Sequence, residues 1–236
     1  MSALIDWNDI DLVVFDVDGT LYDASRLRRA MLRRLLIAAW RERSVHTLRV
    51  LHAFRREREA LGEEEAIDFQ AAQYARAAVR ARCGEDEVRA LTREWMERQP
   101  LALLRACRRP YVEEVFSGLR MVGKRIAVLS DYPAIRKLRV LGLRADVVVA
   151  ATDPDIGRLK PHPLGLQHIL RRTGVSASRA LMIGDRLDRD AVVAERAGTR
   201  TLILRRSRTP CAVPTFAGYE AAVFTPLFQS PSFVPA

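Results

Sequence analysis

Residues 11–21 read DLVVFDVDGTL, an apolar run rich in β-branched residues that is closed by Asp16, Asp18 and Gly19. Such a run predicts a buried strand whose C-terminal end carries polar groups. Alternate side chains of a strand share a face, so Asp16 and Asp18 can point together while the backbone stays extended, and Gly19 suits a sharp bend instead. Two carboxylates this close repel each other unless a cation lies between them or one keeps its proton. The same residues also fit a plain strand-end turn, because Asp-Gly is a common turn dipeptide.

Downstream of Pro110 the chain alternates strand and helix. Tyr111–Val122, Pro133–Leu141, Pro163–Arg172 and Asp188–Ala197 read as helices. Arg125–Leu129, Val147–Val149, Ala180–Ile183 and Thr201–Leu204 read as strands, with glycines at helix ends such as Gly142 and Gly174. This alternation predicts a parallel sheet covered on both faces. Residues 24–109 differ. Leu27, Met31, Leu35 and Ala38, then Leu48, Leu51 and Phe54, recur at three- and four-residue steps, which predicts several helices packed on one another. The expected architecture is an α/β, Rossmann-like doubly wound parallel sheet with an inserted all-helical unit. The core takes residues 1–23 and 110–236, and the insertion takes 24–109. Residues 205–236, with Pro at 210, 214, 226, 231 and 235, read as an irregular tail laid on the core.

Three further polar motifs stand at or just beyond predicted strand ends. In LSDYP (129–133), the Ser130 hydroxyl and the amides after it can bind an anionic oxygen, or Ser130 and Asp131 can cap the next helix. In GRLKPHP (157–163), Lys160 precedes proline and is biased toward extended backbone, either over a site or in a solvated loop. In IGDRLDRD (183–190), three Asp supply hard oxygen ligands suited to Mg²⁺. Asp185 lies nearest the strand end, and Asp188 is expected to cap the following helix. Ligands of open α/β sheets bind in the crevice at the strands' C-terminal ends, where all four motifs converge.

Composition narrows the class. The chain has 236 residues, 49% apolar and 29% charged, as in soluble globular domains. Leu35–Trp40, the longest apolar stretch of the first half, falls far short of the ~20 residues of a membrane span. Cys83, Cys107 and Cys211 form no CxxC pair, and the first residues lack a secretory charge order, so a cytoplasmic location is expected. The net charge is +10, of which residues 24–109 carry +8 (20 basic against 12 acidic). Basic and acidic residues intermingle there, so a solvated helical surface is the reading and no nucleic-acid partner is expected.

The set DVDGTL, LSDYP, KPHP and GDRLDRD, in this order, resembles the haloacid-dehalogenase-like hydrolase superfamily and its helical-cap phosphatase branch. The resemblance covers roughly residues 9–23 and 110–205. It implies that Asp16 attacks phosphorus to give an aspartyl-phosphate. Asp18 would protonate the leaving oxygen and then activate water. Mg²⁺ would be held by Asp16, the Asp18 main-chain carbonyl and Asp185, with Asp190 in support. Ser130 and Lys160 would bind the phosphate, and residues 24–109 would form the cap. Dehalogenating relatives lack an acid two residues after the nucleophile, so Asp18 favours phosphate esters. The implied substrate is a small-molecule phosphate ester. Asp131 is expected to point away from the site, since its charge would repel substrate. Arg26, Arg28 and Arg29 are candidates for a second anionic group. Two alternatives share the motifs, a phosphoglucomutase-like phosphotransferase and a non-catalytic binding protein of the same fold.

Overall fold

In the computed structural model, which describes residues 5–206 and 212–228, the strand predicted at the start is β1 (Leu12–Phe15). It pairs in parallel with β2 (Arg125–Ser130) on one side and β4 (Ala180–Gly184) on the other. β3 (Val147–Ala150) flanks β2, and β5 (Arg200–Leu204) flanks β4. With β6 (Thr215–Phe216) the order is β3-β2-β1-β4-β5-β6, parallel throughout. This is the Rossmann-like α/β sheet expected. The order reverses between β1 and β4, which places a crevice at their C-terminal ends.

The alternation along the strands decides which residues face which layer. Val13, Phe15, Ile126, Val128, Leu181 and Ile183 face one core, with Phe116. Leu12, Val14, Ala127, Leu129, Ala180 and Met182 face the other, with Ile169 and Val193. Both faces are buried, which explains why the strands read as unbroken apolar runs rather than alternating ones.

Between β1 and β2 the chain forms α1 (Ala24–Glu42), α2 (His46–Glu63), α3 (Phe69–Ala81), α4 (Glu85–Thr92), a π-helical stretch (Arg93–Arg98) and the short α5 (Leu101–Leu104). Asp23 caps α1 through the Arg26 amide, 2.9 Å away. Val50, Phe54, Ala77, Ala81 and Val88 make a small core of their own. Leu61 and Phe69 pack on Ala151 and Leu159, so the helices rest on the sheet domain beside its crevice. The remaining helices, α6 (Val112–Met121), α7 (Ile135–Leu141), α8 (Leu164–Thr173), α9 (Val192–Ala197) and α10 (Thr225–Phe228), cover the sheet and its edge. No helix among the described residues is long and apolar enough to cross a membrane.

Two expectations are corrected here. The described part of the tail is not merely laid on the core. It supplies β6 and buries Phe216, Tyr219, Phe224 and Leu227 in the main apolar cluster, because its aromatics cover the β5 edge. Residues 207–211, including Pro210 and Cys211, and 229–236 lie outside the described residues. Asp188 does not cap a helix. The chain enters α9 through a π-helical turn (Leu187–Ala191), and the Asp188 carboxylate bonds the Arg186 guanidinium instead.

Candidate active site

Asp16 is the first residue beyond β1, with its carboxylate almost fully buried. One oxygen accepts a hydrogen bond from the Lys160 ammonium at 2.6 Å and the other from the Thr20 hydroxyl at 2.9 Å. The turn back toward Thr20 depends on Gly19, whose φ of +113° lies in the region open mainly to glycine. A Cβ there would collide with the Asp185 carboxylate, so the missing side chain is what lets the β1 and β4 loops meet. Arg109 ties the same turn down by donating from Nε and Nη2 to the Gly19 carbonyl at 3.0 and 2.6 Å.

Asp185 follows β4 directly. Asp190, one turn on, orders that loop: one oxygen accepts the amides of Asp185 and Arg186 at 3.1 and 3.0 Å, and the other accepts Lys160 Nζ at 2.6 Å. Oxygens of Asp16, Asp185 and Asp190 lie within 4.8 Å of one another. The Lys160 ammonium faces two of the three carboxylates. Burial, then the negative neighbours Asp190, Asp185 and Asp18, push Asp16 up to about 8 against the pull of Lys160. Burial and Asp190 push Asp185 up to about 6. Burial would lower Lys160, but Asp16, Asp190 and Asp131 hold it well above its usual value. A hard-oxygen donor set with more negative charge than one ammonium balances fits a divalent cation such as Mg²⁺.

Asp18 has different company. Its carboxylate takes both hydrogen bonds of a fork from Lys137 Nζ, at 2.5 and 2.7 Å, and a further one from the Tyr22 hydroxyl. Burial raises this carboxyl, but Lys137 and Tyr22 outweigh it and hold it below the usual range. Its carboxylate thus has other partners than the cluster of Asp16, Asp185 and Asp190.

Asp16, Asp18, Lys160, Asp185 and Asp190 line one cavity of about 90 Å³. Ser130 ends β2 fully buried; its Oγ accepts the Tyr132 amide at 3.2 Å, and it is not among the residues lining that cavity. The expectation for Asp131 is corrected: it lines the cavity, and its Oδ1 accepts the Lys160 amide at 2.9 Å, fixing the backbone that carries the ammonium. Arg26, Arg28 and Arg29 are exposed on α1 and away from the cavity. The cations that do line it are Arg58 from α2, Arg186 and Arg189, besides Lys160. Arg189 is buried, donates to the Lys160 carbonyl and meets Glu59 of α2 at 2.9 Å. Sequence reasoning missed Lys137, Tyr22, Arg58 and Arg189. Tyr22 could have been suspected as the residue that follows the DVDGTL motif, whereas the others stand in arginine-rich segments with nothing to mark them.

Comparison with known proteins follows the same lines. Residues 10–198 match the family model described as haloacid dehalogenase-like hydrolase. A curated relative, the glyceraldehyde 3-phosphate phosphatase of Methanopyrus kandleri, is 32% identical over 102 residues, which is 42% of this chain and only 44% of that protein. Its counterpart of the same name from Methanocaldococcus jannaschii is 23% identical, covering 83% of this chain and 85% of the other. Among solved structures, 2-haloacid dehalogenase from Pseudomonas syringae superposes with TM-score 0.63 at 23% identity, over 89% of this chain and 95% of that one. The HAD-hydrolase YfnB from Bacillus subtilis, bound to magnesium, gives TM-score 0.67 at 16% identity, over 89% and 96%. These likenesses carry the fold, and the family match spans most of the sequence. The chain belongs to the haloacid dehalogenase-like hydrolases.

Proposed function

We propose that this chain is a Mg²⁺-dependent phosphomonoesterase that hydrolyses a small phosphate ester through an aspartyl-phosphate on Asp16. The observation that carries the reading is the crowding of the Asp16, Asp185 and Asp190 carboxylates at the β1/β4 crevice, where one ammonium meets only two of them. Such a group is costly unless a divalent ion completes it. The Asp16 and Asp185 carboxylates and the Asp18 carbonyl would hold the ion, with Asp190 ordering the loop. When bound, Mg²⁺ supplies charge that keeps Asp16 ionised at neutral pH and offsets repulsion between nucleophile and phosphate.

The rest is work for the chain's own side chains. Thr20 and Lys160 each bond one Asp16 oxygen and so fix the carboxylate's orientation. The Lys160 ammonium also lies where it can meet charge on the transferring phosphoryl group. Asp18, gripped by Lys137 and Tyr22, stands two residues from the nucleophile. There, once it has taken up a proton with the incoming substrate, it serves as the acid that gives that proton to the leaving oxygen, and then as the base that takes one from water in the second step. Ser130 joins the phosphate site from the end of β2 in this scheme. The helices at 24–109 act as a cap that limits water access and selects the leaving group. The cavity volume of about 90 Å³ favours a compact ester, in keeping with the name of the two curated phosphatase relatives.

The experiment is a screen of several dozen phosphorylated metabolites for released phosphate with and without Mg²⁺, using Asp16→Asn as control. Metal-dependent release that vanishes in the variant supports the reading. Release indifferent to chelation, or undiminished in Asp16→Asn, overturns it.

A further inference from the structure

Four cations line the cavity, and three have carboxylate partners there. Lys160 meets Asp16 and Asp190, while Arg186 and Arg189 share Glu59. Arg58 meets no carboxylate among the described residues. Its Nη1 donates to the Asp131 main-chain carbonyl, and its Nε is buried with no partner. The residue is only 8% exposed. Three aromatic rings surround the guanidinium: Tyr132 at 4.0 Å, Phe69 at 5.0 Å and Phe54 at 5.7 Å from the ring centroids. Ring faces favour a cation but do not neutralise it, and they leave the hydrogen-bonding fork incomplete.

Its place in the site is also specific. The Tyr132 ring that stacks on Arg58 has Lys137 Nζ 5.3 Å from its centroid, and Lys137 is the residue that grips Asp18. Arg58 thus shares Tyr132 with the lysine that grips Asp18, the residue given the leaving oxygen in the proposed reaction, and it comes from a helix of the inserted segment rather than the sheet. A planar guanidinium with a free donor matches a carboxylate or similar anionic oxygen group.

We propose that Arg58 is the leaving-group receptor of this site, binding a carboxylate on the alcohol part of a short phosphate ester. The inference rests on the phosphatase reading and deepens it. Space limits the span between the two anionic groups. The cavity is small, about 90 Å³, which suits a short ester. A three-carbon phosphorylated acid is of the right class.

The test compares three ligands with one skeleton, 3-phosphoglycerate, glyceraldehyde 3-phosphate and glycerol 3-phosphate, which differ only in a terminal carboxylate, aldehyde or alcohol. Binding to the Asp16→Asn protein with Mg²⁺ is measured by calorimetry, so that turnover does not interfere. The carboxylate should bind at least tenfold more tightly than the alcohol, and adding Arg58→Met, which keeps the apolar stem, should abolish that difference. Equal affinities with Arg58 in place would overturn the proposal without recourse to any Arg58 variant. So would an Arg58→Met change that weakens all three ligands alike, which would make Arg58 a strap between helix α2 and the sheet domain. Phosphate release from the same three ligands by the unmutated chain with Mg²⁺ is followed in parallel. Its absence would sink the phosphatase reading, whereas the affinity order alone judges Arg58.

Discussion

Lys137 Nζ lies 2.5 and 2.7 Å from the two carboxylate oxygens of Asp18, so this residue, two positions after Asp16, is held as an ion by a lysine of α7. Asp16 and Asp18 are thereby separated electrostatically. Asp16 sits among carboxylates, and Asp18 sits against an ammonium.

Replacing Lys137 by Met should leave Asp18 with burial but without its main counter-charge, so its carboxyl moves upward. The limb of the pH–rate profile that reports Asp18 should shift to higher pH. An unshifted profile would show that Lys137 does not set the charge of Asp18.

Asp18→Asn removes the group assigned to leaving-oxygen protonation, a role worth 10²–10⁴-fold in comparable enzymes. The loss should be large for alkyl phosphates and small for p-nitrophenyl phosphate, whose leaving group needs no proton. Steady-state kinetics on the two substrates decide it, and equal losses would count against acid catalysis.

Without metal, Asp16 and Asp185 keep protons up to about 8 and about 6, while the unfolded chain gives them up near 3.8. The folded state therefore binds more protons than the unfolded one across that window, and metal-free stability should fall as pH rises from about 4 to about 8. Mg²⁺ should reverse the slope, and its binding should release protons at neutral pH. Calorimetry in buffers of different ionisation enthalpy checks the release, and thermal melts with and without EDTA check the slope.

Arg189 and Glu59 form a pair in which only the arginine is buried, with side-chain exposures of 7% and 53%. Glu59→Gln should cost under ~1 kcal/mol, as for an exposed partner. Arg189→Met should cost about 2–3 kcal/mol, since it also strips the buried Lys160 carbonyl of its donor. Urea unfolding of both variants tests the asymmetry.

The fold and the acidic cluster were legible because they are local. An apolar β-branched run followed by DVDGTL or GDRLDRD carries its strand, turn and carboxylates within a dozen residues. Asp188 was misread as a cap because the chain enters the helix through a π turn that already contains it, and its carboxylate bonds Arg186 instead. The tail was misread because its prolines dominate the pattern, whereas Phe224 and Tyr219 find their place only once β5 offers an edge. Lys137 and Arg58 were invisible for the same reason: each is one basic residue among many until the fold brings it to Asp18 or Tyr132.

The most direct measurement is a rapid acid quench of the Mg²⁺-loaded protein during turnover of a phosphate-labelled ester, followed by peptide mapping. The account predicts label on the peptide containing Asp16, lost in Asp16→Asn together with turnover. Phosphate release with no label on that peptide, or with full rate in the variant, would contradict it.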